Sequence, residues 1–188
     1  TDLDCVSESN PEEKSHGLIS NDLEMIDQEG QLSNPDYRIF LSEIKEGNIL
    51  NKLADSAHGQ GSFDAPQYSF SFWEIVKKRN IWEYQQSSPK ETRHFDGGSF
   101  VFRWEKGNGH LRWTMEEKKK EGYSSGKWRA GVNLWNKQGV IIRQMQPLPA
   151  SLYLGFSFDD DTAVISPSDP KILPAIWCYC SSVRYRTD

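Results

Sequence analysis

The spacing of apolar positions along this chain changes once, at Pro89. Before it the period is helical. Asn34-Pro35-Asp36 has the form of a helix start, and Ile39, Phe40, Ile44 and, beyond Gly47, Leu50 and Leu53 follow at near-helical spacing. One amphipathic helix or two short ones are expected there. Residues 59–66 read as a loop. Ser71 and Glu74 then stand in the positions of a capping box, which predicts a helix through Gln86 that stops before Ser88-Pro89. Phe72, Ile75, Val76, Ile81 and Trp82 form its apolar stripe, and Lys77, Lys78 and Arg79 a basic cluster on the other side.

After Pro89 the period falls to two. Strands are expected near 98–106, 110–117, 127–135, 138–145, 151–158, 162–166 and 175–186, divided by segments rich in Gly, Asn, Pro and Asp. Successive strands with no helix between them build an antiparallel sheet. The fold class that follows is α+β: a predominantly antiparallel β sandwich or partial barrel, preceded by one or two helices and a flexible acidic arm. The arm occupies residues 1–34 and a single domain 35–188, helical over 35–88 and β-rich over 95–188. Within the arm, Leu18, Ile19, Leu23, Met25 and Ile26 make a short amphipathic piece able to dock.

The stretch FVFRWEKGNGHLRW, residues 100–113, carries the functional question. With Asn108-Gly109 at the centre of a type I′ turn, Trp104 faces Trp113 and Phe102 faces Met115, while Glu105 lies across from Arg112. Such a hairpin is half-buried and its rings are mainly core. Further on, Trp128, Ala130, Val132 and Leu134 alternate with Arg129, Gly131, Asn133 and Trp135, so Trp135 takes the polar face. Trp135 is the best candidate for an exposed ring, with Tyr123 in the preceding loop.

Charge sharpens that picture. Residues 1–70 hold 14 acidic and 4 basic groups, net −10, and residues 73–143 hold 15 basic and 8 acidic, net +7, with six of the seven Trp. Lys118, Lys119, Lys120, Lys127, Arg129, Lys137 and Arg143 surround the expected exposed rings. Cations that track phosphates beside rings that stack on bases are what single-stranded nucleic acid binding uses. Glu116, Glu117 and Glu121 flank the lysines and offer the opposite reading, a charge-balanced solvated tip.

Catalytic signatures are lacking: no G-x-S-x-G, H-E-x-x-H, P-loop or dinucleotide-binding glycine pattern occurs. His94 with Asp96 is the most site-like pair and reads better as an ordinary turn. Asp159-Asp160-Asp161 reads better as a solvated turn than as a cation site. Cys178 and Cys180, two apart in an expected strand, share a face and read as half-buried thiols. No cofactor or metal is implied. No run approaches the roughly 18 apolar residues of a membrane span, and the few cysteines and absent N-x-[ST] site favour an intracellular protein.

The resulting expectation is a non-catalytic binding or assembly module. Its partner is a protein or a second copy, met through the β-rich domain. The alternatives are RNA or single-stranded DNA on segment 73–143 with the acidic arm as competitor, carbohydrate on the exposed rings, and hydrolysis by an unrecognised carboxylate/His site.

Overall fold

A computed structural model of the chain describes residues 10–20, 27–32, 50–62, 64–77, 80–123, 126–145 and 147–187. The chain divides into two units, Thr1–Ile49 and Leu50–Asp188. The first contains helices α1 (Pro11–Ser20) and α2 (Gln28–Gln31). Asn10 starts α1 by accepting the Glu13 amide at 2.8 Å, and Asp27 caps α2 by accepting the amides of Glu29 and Gly30. Leu18 and Ile19 lie on α1 and are exposed. Leu23, Met25, Ile26 and the expected helix over 37–49 lie outside the described residues.

The second unit is α+β, with two open four-stranded sheets dominated by antiparallel pairing. Its strands are β1 (Ala54–His58), β2 (Ser69–Ser71), β3 (Trp82–Gln86), β4 (Phe100–Arg103), β5 (Gly139–Arg143), β6 (Ala150–Tyr153), β7 (Ser157–Phe158) and β8 (Thr162–Pro167). The first sheet runs β1-β8-β5-β6 and is antiparallel throughout. The second runs β2-β4-β3-β7 and ends on a parallel pair, Gln85 beside Ser157 and Gln86 beside Phe158.

Strand β5 explains why the first sheet sits where it does. Val140, Ile141 and Ile142 are all buried, so both faces of the strand are covered. Val140 and Ile142 pack with Ala54, Ala150 and Ile165 under helix α5 (Leu173–Cys180), through Ile176 and Cys180. Ile141 faces the other way, with Val164, Tyr153, Leu134 and Phe158. A third cluster joins Tyr68, Phe102 and Trp104 of the second sheet's side to Leu111 and Met115 of helix α4 (His110–Lys120).

The strands at 100–103, 139–143 and 162–167 agree with the expected β segments, whereas the single strand expected over 151–158 is broken at Gly155, φ 80°, into β6 and β7, which belong to different sheets. Other segments also differ. Residues 82–86, read as helical, are a strand, and so are 54–58 and 69–71, where no strand was expected. The Ser71 amide does donate to the Glu74 carboxylate at 2.8 Å, but the helix it starts lasts one 3₁₀ turn, Phe72–Glu74. Pairing of β3 with β4 and β7 then overrides local helix preference.

The expected hairpin at Asn108-Gly109 is not formed. Residues 110–120 are helical, with Leu111 and Met115 buried one turn apart while Trp113 is 59% exposed. A run of Met, Glu and Lys prefers helix, and Arg112 and Glu116 bridge it at 2.7 Å. Glu105 therefore pairs with Arg103, at 2.8 Å, and not with Arg112. The expected strand at 127–135 is two 3₁₀ turns, Gly126–Arg129 and Val132–Leu134, joined at Gly131 with φ 70°. A Cβ there would lie 2.3 Å from the Phe158 ring, so the close turn requires glycine. The expected strand at 175–186 is α5 followed by α6 (Arg184–Thr187), started by Pro174 and buried through Ile176 and Cys180.

Candidate functional site

Two features of the second unit bring chemistry-bearing side chains together. The first is the C-terminal end of α4. Lys118, Lys119 and Lys120 form its last turn, where the helix dipole favours positive charge. They lie on a helix end and not in a loop, as the sequence suggested. The Lys118 ammonium stands 5.6 Å from the centre of the exposed Tyr123 ring. The turn Gly126–Arg129 packs against α4 and carries exposed Lys127 and Arg129. The Arg129 guanidinium lies 5.4 Å from the Trp128 ring, and that ring packs on Trp104 at 5.6 Å.

Glu116 is engaged by Arg112, whereas among the described residues no ion pair holds Lys118, Lys119, Lys120, Lys127 or Arg129. From Arg112 to Arg129 the chain holds 6 basic and 3 acidic groups, net +3. The flanking glutamates reduce the charge of this surface without cancelling it.

The remaining expected cations sit elsewhere. Lys137, before β5, is 3.4 Å from Asp55, and Arg143 ends β5 in the first sheet. Lys77 is exposed just after the Phe72–Glu74 turn, while Lys78 and Arg79 lie outside the described residues.

The second feature is an open cleft of about 450 Å³ where β3, the parallel strand β7 and two turns meet. Glu83, Tyr84, Trp104, Lys106, Trp135 and Asn136 line it with residues 155–157, and strand alternation turns the Tyr84 and Phe156 rings, packed together at 5.2 Å, to the sheet face opposite Glu83. Trp135 is not the freely exposed ring expected from alternation. It is half-buried and packs edge-on against Trp104 at 5.1 Å, because the 3₁₀ turn before it breaks the period of two. Its indole Nε1 is buried and has no hydrogen-bond partner among the described residues.

Backbone geometry builds this cleft. Glu105 and Lys106 adopt φ of 50° and 56°, and Asn136 φ of 61°, all in the left-handed region that side chains disfavour. The amides of Trp104 and Glu105 both donate to the Ile81 carbonyl, at 2.8 and 3.0 Å, and the Asn136 amide donates to that of Gly155 at 2.8 Å. Two turns are thereby held against the sheet end.

The Glu105 carboxylate fastens the first turn to α4. It accepts the His110 amide at 2.6 Å and the Arg103 guanidinium at 2.8 Å. Burial raises its pKa, but these hydrogen bonds and the Arg103 and His110 charges outweigh that and hold it below the ordinary carboxylate value. Beside it, the Tyr68 hydroxyl, fully buried, lies 2.8 Å from His110 Nδ1 and donates to Thr114 Oγ1 at 3.2 Å.

The Asp96 carboxylate accepts the amides of Lys90, Glu91 and Gly97 and pairs with Arg93 at 3.3 Å, closing its own loop. Burial raises its pKa, and these bonds outweigh that to leave it lowered. His94 packs against the Trp177 ring at 5.1 Å. Asp159 differs from the solvated tip expected: it is largely enclosed, while Asp160 and Asp161 are exposed. Cys178 is exposed and Cys180 buried, because two positions apart on a helix point to different sides. Among the described residues no group of three His, Cys, Asp or Glu is placed to hold a metal ion, and no helix is long and apolar enough to cross a membrane.

Tyr84, Glu83, Lys106, Asn136 and Phe156 were missed by sequence reasoning. Their only signal was Gly107, whose φ of 74° lets the turn fold over the Trp104 ring. The parallel pairing of β3 with β7, across some seventy residues of chain, has no local signature. No protein-family model matches this sequence, and no curated protein matches it.

Proposed function

We propose that this chain is a non-catalytic macromolecule-binding module and that its macromolecule is a nucleic acid. The observation that carries this reading is the packing of the turn with Lys127 and Arg129 on helix α4, whose last turn holds Lys118, Lys119 and Lys120, with Lys118 over the exposed Tyr123 ring and Arg129 over that of Trp128. A helix end and the turn packed on it present cations free of ion pairs among the described residues. Such a surface neutralises backbone phosphates, and its rings accept an unstacked base. Residues 1–34 hold 9 acidic groups and 1 basic group, a charge opposite in sign to that surface.

Fluorescence anisotropy of a labelled single-stranded 20-mer and of the matching duplex, read across a salt series, tests this. Affinity falls steeply with salt. The combined variant Lys119→Ala, Lys120→Ala, Lys127→Ala reduces the log–log salt slope by about two to three, roughly one for each phosphate contact removed. No binding of either probe at low salt sinks the reading.

Protein assembly is the second reading, and one feature favours it. Phe72 and Trp73 form an edge-on pair at 5.1 Å, both more than half exposed, with Val76 fully exposed three residues further on. A partner protein or a second copy seated there would register as a higher mass by light scattering, reduced by Trp73→Asp.

A further inference from the structure

We propose that Gln60 is a positioning residue for the cationic surface: its side chain latches the Gly126–Arg129 turn, and the Asp159 carboxyl group sets that latch by gaining or losing a proton. The inference rests on the nucleic acid reading above and adds a control to it, since Lys127 and Arg129 reach a phosphate backbone from where this turn holds them.

Two hydrogen bonds fasten the turn to the chain just after β1. Gln60 Nε2 donates to the Trp128 carbonyl at 2.9 Å, and the Gly61 amide donates to that of Lys127 at 3.2 Å. Gln60 is 2% exposed, so water does not readily replace its bond to Trp128.

The orientation of the Gln60 amide follows from that contact. A carbonyl only accepts, so the NH2 end meets Trp128 and Oε1 points away from it. Oε1 is buried with no partner among the described residues, and so is Asp159 Oδ1. Gln60 and Asp159 are partners across a parallel bridge, where paired side chains leave on the same side of the ladder. Gly61 gives the same sense. A Cβ there would lie 2.9 Å from Asp160 Oδ2, so Asp160 takes the Gly61 side and Asp159, its neighbour, the Gln60 side.

Two buried acceptors on one side of adjacent segments call for a donor, and a proton on the Asp159 carboxyl group is one these residues can supply themselves. Protonated, Asp159 donates its O–H to Gln60 Oε1 and keeps Nε2 on Trp128. When that proton passes to water, Oδ1 and Oε1 become opposed acceptors. The amide then turns over: Nε2 donates to the carboxylate, and the Trp128 carbonyl loses its donor.

The surroundings bring this change close to neutral pH. Burial, then the Asp161 and Asp160 charges, push the Asp159 pKa up to about 7, against hydrogen bonds from Thr162 and Ser88. On the facing chain, Lys127 lies beside Gly61, and His58 Nδ1 is 3.1 Å from the Gly59 carbonyl. Neither forms an ion pair with Asp159 among the described residues.

The experiment uses the full chain labelled with ¹³C and ¹⁵N and follows it by NMR through a pH series centred on about 7. Anisotropy of the single-stranded 20-mer is read at fixed low salt over the same series. The Gln60 NH2 and the amides of residues 127–130 should titrate with the midpoint of the Asp159 carboxyl carbon. Affinity should fall about three- to tenfold as pH rises through that midpoint, the size of one hydrogen bond lost. In Asp159→Asn the NH2 group donates to Oε1 at every pH, so turn signals and affinity should keep their acid-side values. Asp160→Asn removes the same charge from the other side of the ladder and should keep the titration, which separates the latch from a loss of negative charge. A Gln60 amide that does not follow the Asp159 carboxyl group overturns the proposal. So do turn signals and affinity that follow pH alike in wild type and Asp159→Asn. If the turn titrates and the 20-mer binds at no pH, the nucleic acid reading fails and the latch stands. If the 20-mer binds and the turn does not titrate, the latch fails and the nucleic acid reading stands.

Discussion

Gln60 and Asp159 are paired across a parallel bridge, and each holds a buried side-chain oxygen, Oε1 and Oδ1, with no hydrogen-bond partner among the described residues. Two acceptors on neighbouring positions, neither supplied with a donor, disfavour a charge on the carboxylate. Burial, with the Asp161 and Asp160 charges, pushes the Asp159 pKa up to about 7, against hydrogen bonds from Thr162 and Ser88. The loop is held by other bonds, since the Gln60 amide donates to the Phe158 carbonyl at 2.8 Å and the Gln60 Nε2 to that of Trp128 at 2.9 Å.

This arrangement sets a pH dependence whose sign is definite. Between the ordinary value of 3.8 and about 7 the folded chain keeps a proton on Asp159 that the unfolded chain has lost. Stability therefore declines as pH rises through that window and is level above it. Asp159→Asn removes the decline. Thermal melts across the window should show a wild-type Tm that drops with pH and a variant Tm that stays flatter; parallel curves would refute the assignment.

Asp96 and Glu105 act in the opposite direction, on the acid side. Both carboxylates are held below their ordinary values of 3.8 and 4.5. Their contribution is present above those values and is lost as pH falls through the lowered folded pKa. Glu105→Gln should flatten the acid limb of the same Tm curve, and an unchanged limb would count against the role of Glu105.

Gly109 is required by the contact it permits. A Cβ at that position would lie 1.9 Å from a Glu105 carboxylate oxygen, the oxygen that receives the His110 amide. Gly109→Ala should cost about 1–3 kcal/mol by urea denaturation, by forcing Glu105 away from the helix start. Within the background of Glu105→Ala the same change should cost much less, which a double-mutant cycle measures.

The helical state of 110–120 has its own signature. Met115 is 1% exposed and Trp113 59%. Met115→Ala should destabilise by about 2–5 kcal/mol, whereas Trp113→Ala should remain within about 0.5 kcal/mol. Comparable losses at both positions would restore the hairpin with its facing tryptophans.

The cysteines of α5 should differ in reactivity. Cys178 is exposed, and burial pushes the Cys180 thiol up to about 12. A thiol reagent applied to the native chain at neutral pH should label Cys178 and leave Cys180 until denaturant is added, as read by peptide mass mapping. Equal labelling rates would place Cys180 outside the core described above.

How much was legible in the sequence depended on whether a segment's fate is local. Val140-Ile141-Ile142 and Val164-Ile165 are short β-branched runs between turn residues, and they became strands because burial on both faces suits them in any partner sheet. The antiparallel α+β class followed from them, whereas the burial of Phe102 and Trp104, expected from a hairpin that does not form, comes from packing on helix α4. Leu111, Trp113 and Met115 satisfy a period of two and, with Trp113 set aside, a period of four. Local preference and the Arg112–Glu116 pair lean to helix, and the packing of Leu111 and Met115 on Tyr68 and Phe102, with the Glu105 carboxylate at the His110 amide, completes it. The lysines at 118–120 were visible as a charge cluster, but their place on a helix end beside the 126–129 turn was not. Strand β3 and the cleft were settled entirely by distant contacts: β3 lies between β4 and β7, and residues from four separate segments meet there. Local preference determines what a segment tolerates, and burial against a partner remote in sequence selects among the tolerated states, because that burial outweighs the few tenths of a kcal/mol per residue that separate helix from strand.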